Sequence, residues 1–281
     1  MNTSATERRK PPIALTIAGF DPSSGAGITA DLQVFAAHGL FGTACITALT
    51  VQSTQGVAAI HPVSGQIART LSHLDADLPP AGIKIGMLAT AEAVLAVAAY
   101  LRQRSKPQTP IVLDPVLIAS SGASLLSPKG LIALRDELLP LVDWLTPNTA
   151  ELATLSGLPI ASETDIEPAL RALASQQPHL HIVATGGHLN PPTDTLLTPT
   201  GQLHHFTGVR IDSVSTHGTG CAFSSALLSH LVLGDDPQDA VAAAKAYVTE
   251  ALRQAPGLGK GYGPLNLLWP LEVSLCYPDN A

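Results

Sequence analysis

Chemistry concentrates in the segment Thr216-His217-Gly218-Thr219-Gly220-Cys221, which runs directly into the apolar stretch Thr219 to Leu233. Glycines at Gly218 and Gly220, flanking Thr219, let backbone N–H groups turn inward with no Cβ in the way. A helix start adds free donors and a partial positive charge, which favours phosphate. The same tripeptide also fits a plain glycine turn before a helix, and residue types alone do not separate the two. No G-K-[ST] follows, so this is not a Walker A loop, and it is not a Rossmann fingerprint. Cys221 falls in the first turn of the helix. A thiol there can have a lowered pKa and become nucleophilic or basic, or it simply fills a small apolar site.

The elements that must position this turn follow from the apolar pattern. Buried strands are expected at Ile13 to Ala18, Cys45 to Leu49, Gly82 to Ile85, Ile111 to Leu113, Trp144 to Thr146 and His181 to Ala184. Helical spacing is expected over Ile28 to His38, Ser64 to Leu74 (with Ser64 as N-cap), Thr90 to Gln103, from Ser127-Pro128, and over Ile166 to Ser175. A small hairpin is expected around Thr200-Gly201, then two helices over Thr219 to Leu233 and Pro237 to Gln254. Strands alternating with helices predict an α/β fold: three layers, a mostly parallel central sheet with helices on both faces. Ligands of such sheets bind beyond the carboxyl ends of the strands. The residues there are polar or glycine-rich in six loops: Gly19 to Gly27, Thr50-Val51-Gln52, Gly86-Met87, Asp114-Pro115, Thr146-Pro147-Asn148 and Thr185-Gly186-Gly187-His188.

Composition narrows the class. The 281 residues are 46% hydrophobic and 13% charged, which suits a compact enzyme. A net charge of -7 argues against nucleic acid as a partner, and no run is long enough to span a membrane. Met1 to Lys10 reads as a flexible tail without a secretion signal, and residues 11–281 as a single domain. Cys45, Cys221 and Cys276 lie far apart without metal-type spacing, as expected in a reducing cytoplasm.

Nine ordered motifs resemble the ribokinase-like enzymes, and closely the hydroxymethylpyrimidine/phosphomethylpyrimidine kinases of thiamine synthesis. They are Leu15 to Gly19 with Asp21 to Ile28 and Ala30-Asp31-Leu32, Ile46 to Thr54, Lys84 to Leu88, Val112 to Val116, Thr146-Pro147-Asn148 with Glu151, Gly186 to Leu189, His217 to Cys221, Gly259-Lys260-Gly261, and Gly263-Pro264. The resemblance runs from about residue 13 to 266. It implies a ribokinase-like fold, a homodimer, and use of ATP and Mg²⁺. The implied reaction phosphorylates 4-amino-5-hydroxymethyl-2-methylpyrimidine and then its monophosphate.

The resemblance also implies roles. Gln52 contacts the aminopyrimidine, Asp31 shares its pocket, Gly19, Ala26 and Gly27 let backbone approach the ring, and Met87 packs on it. Taken as bare residues, Asp31 equally suits a helix surface, Gln52 a loop and Met87 the core. Asn148 and Glu151 form N-x-x-E, which organises Mg²⁺; the same pair reads as an N-cap and capping box. Asp114 falls near the phosphates and the metal. Cys221 stands where many ribokinase relatives carry a basic aspartate. The sequence departs from the pattern at Ser120 and Thr185, where many relatives carry lysine, and at Ala123, where many carry aspartate. Thr185 and Gly187 remain on the nucleotide side; Lys260, Lys245 or a metal ion is expected to compensate, or ATP to bind less tightly.

Overall fold

The computed structural model describes residues 10–104, 108–119 and 122–271. Nine strands form one sheet in the order β3-β2-β1-β4-β5-β6-β7-β8-β9. They are β1 (Ile13–Phe20), β2 (Phe41–Ser53), β3 (Gly56–Pro62), β4 (Gly82–Ile85), β5 (Ile111–Leu113), β6 (Trp144–Leu145), β7 (His181–Ala184), β8 (Thr193–Leu197) and β9 (Leu203–Thr207). From β2 through β7 all neighbours pair in parallel; β3, β8 and β9 add antiparallel edges. The helices are α1 (Gly27–Ala37), α2 (Ile67–Asp77), α3 (Ala91–Gln103), α4 (Pro128–Ala133), α5 (Thr149–Ser156), α6 (Ile166–Gln176), α7 (Thr219–Leu233) and α8 (Pro237–Arg253). Among the described residues, no helix is long and apolar enough to cross a membrane.

Strand alternation builds the three layers. Leu15, Ile17, Ile83, Ile85 and Leu113 point into a core shared with α2 to α6. Ala14, Val112, Trp144 and Val183 point the other way, against α1, α7 and α8. The parallel strands thus bury both faces. Strand order reverses around β1, so β1, β2 and β4 flank a switch point, where such sheets open a crevice.

Two expectations change. Strand β3 was not expected; a turn at Thr54-Gln55 folds the extended β2 back on itself. Ser64 is not an N-cap. It opens a short 3₁₀ turn, Ser64–Gln66, and α2 starts only at Ile67 with no side-chain cap. By contrast, Thr90 accepts from Ala93 N at 3.2 Å and Ser127 from Gly130 N at 3.1 Å, each capping its helix.

Candidate active site

Strand β4 reads Gly82-Ile83-Lys84-Ile85 and is buried throughout. With Ile83 and Ile85 facing the α2–α6 core, Lys84 lies on the opposite face, toward α1 and α7. A buried ammonium needs a partner. Asp31, on the inner face of α1, supplies it: Lys84 Nζ donates to Oδ1 at 2.9 Å and to Oδ2 at 3.0 Å, and neither side chain is exposed. Thr16 donates to Oδ2 at 2.5 Å and Ser225 of α7 to Oδ1 at 2.8 Å. The carboxylate is therefore satisfied from within the protein. The expectation that Asp31 lines the pyrimidine pocket is corrected: it is a sealed structural anion. Burial works to lower the Lys84 ammonium, but Asp31, then Cys221 and Asp114, outweigh it and hold it above its ordinary value.

Two helix starts meet close to this pair. α1 begins after Ala26 and α7 after Gly218, and neither cap residue contributes a side-chain oxygen. Their first-turn amides thus lack the usual capping acceptor. A Cβ on Gly218, at φ +82°, would stand 1.8 Å from Gly25 O, and one on Gly27, at φ +60°, 2.2 Å from Gly19 O. Only glycine permits these approaches. Cys221 lies between the Gly27 amide, the Asp114 carboxylate and the Lys84 charge. Burial pushes its thiol up to about 12, with Lys84 pulling it down and Asp114 and Asp31 pushing it further up. A lowered pKa does not follow from the helix start here, because burial favours the neutral thiol.

Asp114 follows β5 and lies beside the glycine turn. Ser224 donates to its Oδ2 at 3.4 Å, and a Cβ on Gly220 would be 3.7 Å from that oxygen. Asn148 and Glu151 open α5 with a complete capping box: Glu151 N donates to Asn148 Oδ1 and Asn148 N to Glu151 Oε2, both at 2.9 Å. The structural reading of N-x-x-E therefore holds. Asp114 and Glu151 titrate as a pair. Burial raises both, Asp114 to about 6 and Glu151 to about 8, with the Asp114 charge adding to the rise at Glu151. Two buried, mutually repelling carboxyls make a site short of positive charge. Among the described residues, no three His, Cys, Asp or Glu side chains form a protein-only metal cage. This donor set fits Mg²⁺ arriving with phosphates, since Mg²⁺ takes one or two carboxylates and keeps several waters.

At the ends of β1 and β2, Met87 packs with Ala48, Ala89 and Leu125, and its sulfur would lie 3.0 Å from a Cβ on Gly19. Gln52 is half-buried, and its Nε2 lies 3.0 Å from His217 Nε2, which lies 2.7 Å from Asp21 Oδ2. Ala26 N donates to Asp21 Oδ2 at 3.0 Å.

On the far side, Thr185 and Asn148 bridge between the ends of β7 and β6. Gly187 is exposed, while Gly186 N donates to Asp194 Oδ1 at 2.8 Å. Lys245 is corrected: its ammonium is committed to Asp194 Oδ2 at 2.9 Å and braces the Gly186 loop from behind. Lys260 is corrected too. It is exposed on the β2–β3 side, where its backbone N donates to Thr54 Oγ1 at 3.2 Å. Ser120 lies outside the described residues, and Ala123 accepts a backbone bond from Ala119 at 2.8 Å. Lys84, Asp21 and His217 had no role in the sequence reading. For Lys84 a signal existed: a lysine inside a four-residue apolar strand must be paired.

A solved relative fits this backbone closely. The pyridoxal kinase from Staphylococcus aureus in complex with ADP superposes with a TM-score of 0.84 at 26% identity, covering 94% of this chain and 96% of that one. Fold and site together define a ribokinase-like small-molecule kinase. Residues 21–266 match the family model described as phosphomethylpyrimidine kinase, so the chain belongs to the phosphomethylpyrimidine kinase family. A hydroxymethylpyrimidine/phosphomethylpyrimidine kinase of Haemophilus influenzae is 42% identical over 260 residues, covering 90% of this chain and 95% of that protein. The solved phosphomethylpyrimidine kinase from Clostridium difficile is 33% identical, with a TM-score of 0.74 over 85% of this chain and 99% of that one.

Proposed function

We propose that this chain transfers the γ-phosphoryl group of ATP, with Mg²⁺, to 4-amino-5-hydroxymethyl-2-methylpyrimidine, and then phosphorylates the monophosphate to the diphosphate in thiamine biosynthesis. Relatives of that name at 42% and 38% identity, spanning nine-tenths of the chain, carry the reading. The site supports it with two uncapped helix starts and a carboxyl pair at one sheet edge.

In this reading the Gly218-Thr219-Gly220 amides hold the transferring group. Such transfer is mainly positioning and charge neutralisation, because its transition state is loose. The substrate hydroxyl attacks the γ-phosphorus as the bond to the bridging oxygen breaks, ADP leaves, and the hydroxyl proton passes to solvent through the Cys221 thiol, which gives up its own proton as it takes the hydroxyl's. Gln52 and Met87, with backbone at Gly19, Ala26 and Gly27, hold the ring. Asp114, Asn148 and Glu151 hold Mg²⁺, which supplies charge neutralisation at the phosphates. Thr185 and Gly187 line the nucleotide side. A homodimer fits the apolar exposure of Leu49 and Val51 on β2, and free Cys45 and Cys221 fit a cytoplasmic setting.

Cys221 serves the alcohol step. The first acceptor is a hydroxyl that must lose a proton; the second is already an ionised phosphate. Cys221→Ala is expected to slow the first transfer at least tenfold more than the second, measured by single-turnover kinetics on each acceptor. Equal losses would remove Cys221 from proton handling.

The deciding experiment is product analysis with the hydroxymethylpyrimidine, ATP and Mg²⁺, run beside pyridoxal, because pyridoxal kinases share the fold. Monophosphate followed by diphosphate is expected. Turnover of pyridoxal alone would reassign the acceptor, and tight ligand binding without turnover would make this a binding protein.

A further inference from the structure

His217 stands between the two halves of the site and poses a problem of donors and acceptors. Its Nε2 lies 2.7 Å from Asp21 Oδ2 and 3.0 Å from Gln52 Nε2. Asp21 has no proton to offer. Its Oδ1 accepts from Ser23 N at 2.8 Å and Ser23 Oγ at 2.7 Å, and its Oδ2 also accepts from Ala26 N. Burial works to raise this carboxyl, yet the His217 and Ser23 hydrogen bonds hold it below its ordinary value. A carboxylate accepts only, so the proton in the short contact belongs to His217 Nε2. That holds for the neutral Nε2–H tautomer and for imidazolium alike.

A protonated Nε2 cannot accept from the Gln52 amide nitrogen. Turning the carboxamide by 180° about its last torsion removes the conflict, with Oε1 toward His217 as the second, longer acceptor of the single Nε2–H shared with Asp21, and the NH₂ end away. His217 has little freedom to escape this role. A Cβ on Gly25 would stand 2.3 Å from its Cδ2, and its backbone N donates to Gly263 O at 3.1 Å. Gly25 lies in the same loop as Asp21, so one loop fixes both the ring and its proton.

We infer that Asp21 and His217 are positioning residues that set acceptor specificity: by keeping the proton on His217 Nε2 they present the Gln52 NH₂ group as a donor to the bound ring. The acceptor must then offer a ring nitrogen lone pair at that point. This rests on the reading of Gln52 as a ring contact. It assigns that contact a direction: donor to a ring nitrogen, and not acceptor from the exocyclic amino group.

Two measurements test it. In full-length protein labelled with ¹⁵N-histidine, long-range ¹H–¹⁵N spectra report which ring nitrogens carry protons, and His217→Phe assigns the signals. A protonated Nε2 is expected; an unprotonated Nε2 overturns the inference. Calorimetric Kd values are then compared for the hydroxymethylpyrimidine, its deamino analogue and its two deaza analogues, each with CH in place of one ring nitrogen. The wild type is expected to lose about tenfold to a hundredfold affinity for one deaza analogue, and less for the deamino analogue. That ratio should shrink to about threefold in both Asp21→Asn and His217→Phe, and a ratio is insensitive to partial misfolding. An unchanged ratio in both variants overturns the inference. In Gln52→Leu the ratio should likewise collapse. If Gln52→Leu leaves every affinity unchanged, Gln52 is not the ring contact at all, a different failure from an unchanged ratio in the other two variants.

Discussion

Replacing Glu151 by glutamine is expected to stabilise the ligand-free protein above neutral pH while slowing phosphoryl transfer by about a hundredfold or more. Glutamine keeps the capping box, because its carbonyl can still accept from Asn148 N. What it removes is a buried charge. Glu151 has an ordinary pKa of 4.5, raised in the fold to about 8 by burial and by Asp114. The direction of the pH effect follows. Below pH 4.5 the carboxyl is protonated both folded and unfolded and costs nothing. As pH rises toward 8, the unfolded chain ionises freely while the folded one resists, so wild-type stability falls across that window and levels off above it. The variant avoids this fall. Near pH 7 its advantage should be on the order of 3 kcal/mol, several degrees in Tm. Thermal melts from pH 4 to 9 check this, and added Mg²⁺ with ADP should narrow the gap by stabilising only the wild type. Parallel melting curves and unchanged turnover would take Glu151 out of the site.

Breaking the Lys84–Asp31 pair should have the largest effect on stability. Lys84→Met leaves Asp31 buried and uncompensated, which typically costs about 3–5 kcal/mol. Adding Asp31→Asn removes the orphan charge while keeping an acceptor for Thr16 or Ser225. The double variant should therefore recover most of the loss, and a denaturation cycle over wild type, both single variants and the double variant gives the coupling. The same variants test the placement of Asp31. With stability restored, the KM for the pyrimidine should stay within about threefold of wild type. A large KM rise in the folded double variant would return Asp31 to the substrate pocket.

Much of this site was legible because parallel sheets collect ligand loops at one edge. Asp114, Asn148 and Thr185 follow strands whose apolar runs are visible, Gln52 lies just beyond the apolar run of β2 in the part that pairs with β3, and the starts of α5 and α7 are marked by N-x-x-E and G-T-G. Strand β3 escaped because Gly56–Pro62 is exposed or half-buried throughout and shows no alternation to read. Lys84 and Asp31 are 53 residues apart, and nothing local says that a β4 side chain and an α1 side chain meet. The same limit explains Lys245 on α8, whose partner Asp194 is 51 residues away on β8. Carboxyl and thiol pKa values depend on how deeply the finished fold buries them, so the neutral thiol of Cys221 could not be read from its place at a helix start.

The near-contact of Gly25 and Gly218 has a kinetic side. The two turns come from opposite ends of the chain, yet they fit together only where a side chain is missing from both. Closing so long a loop is entropically slow. During synthesis, β1, β2 and β4 can pair long before α7 has been made. A nascent chain at that stage lacks both the phosphate turn and His217, which orients Gln52 on the ring side, so competence for binding and transfer should appear late and all at once, when α7 docks against α1.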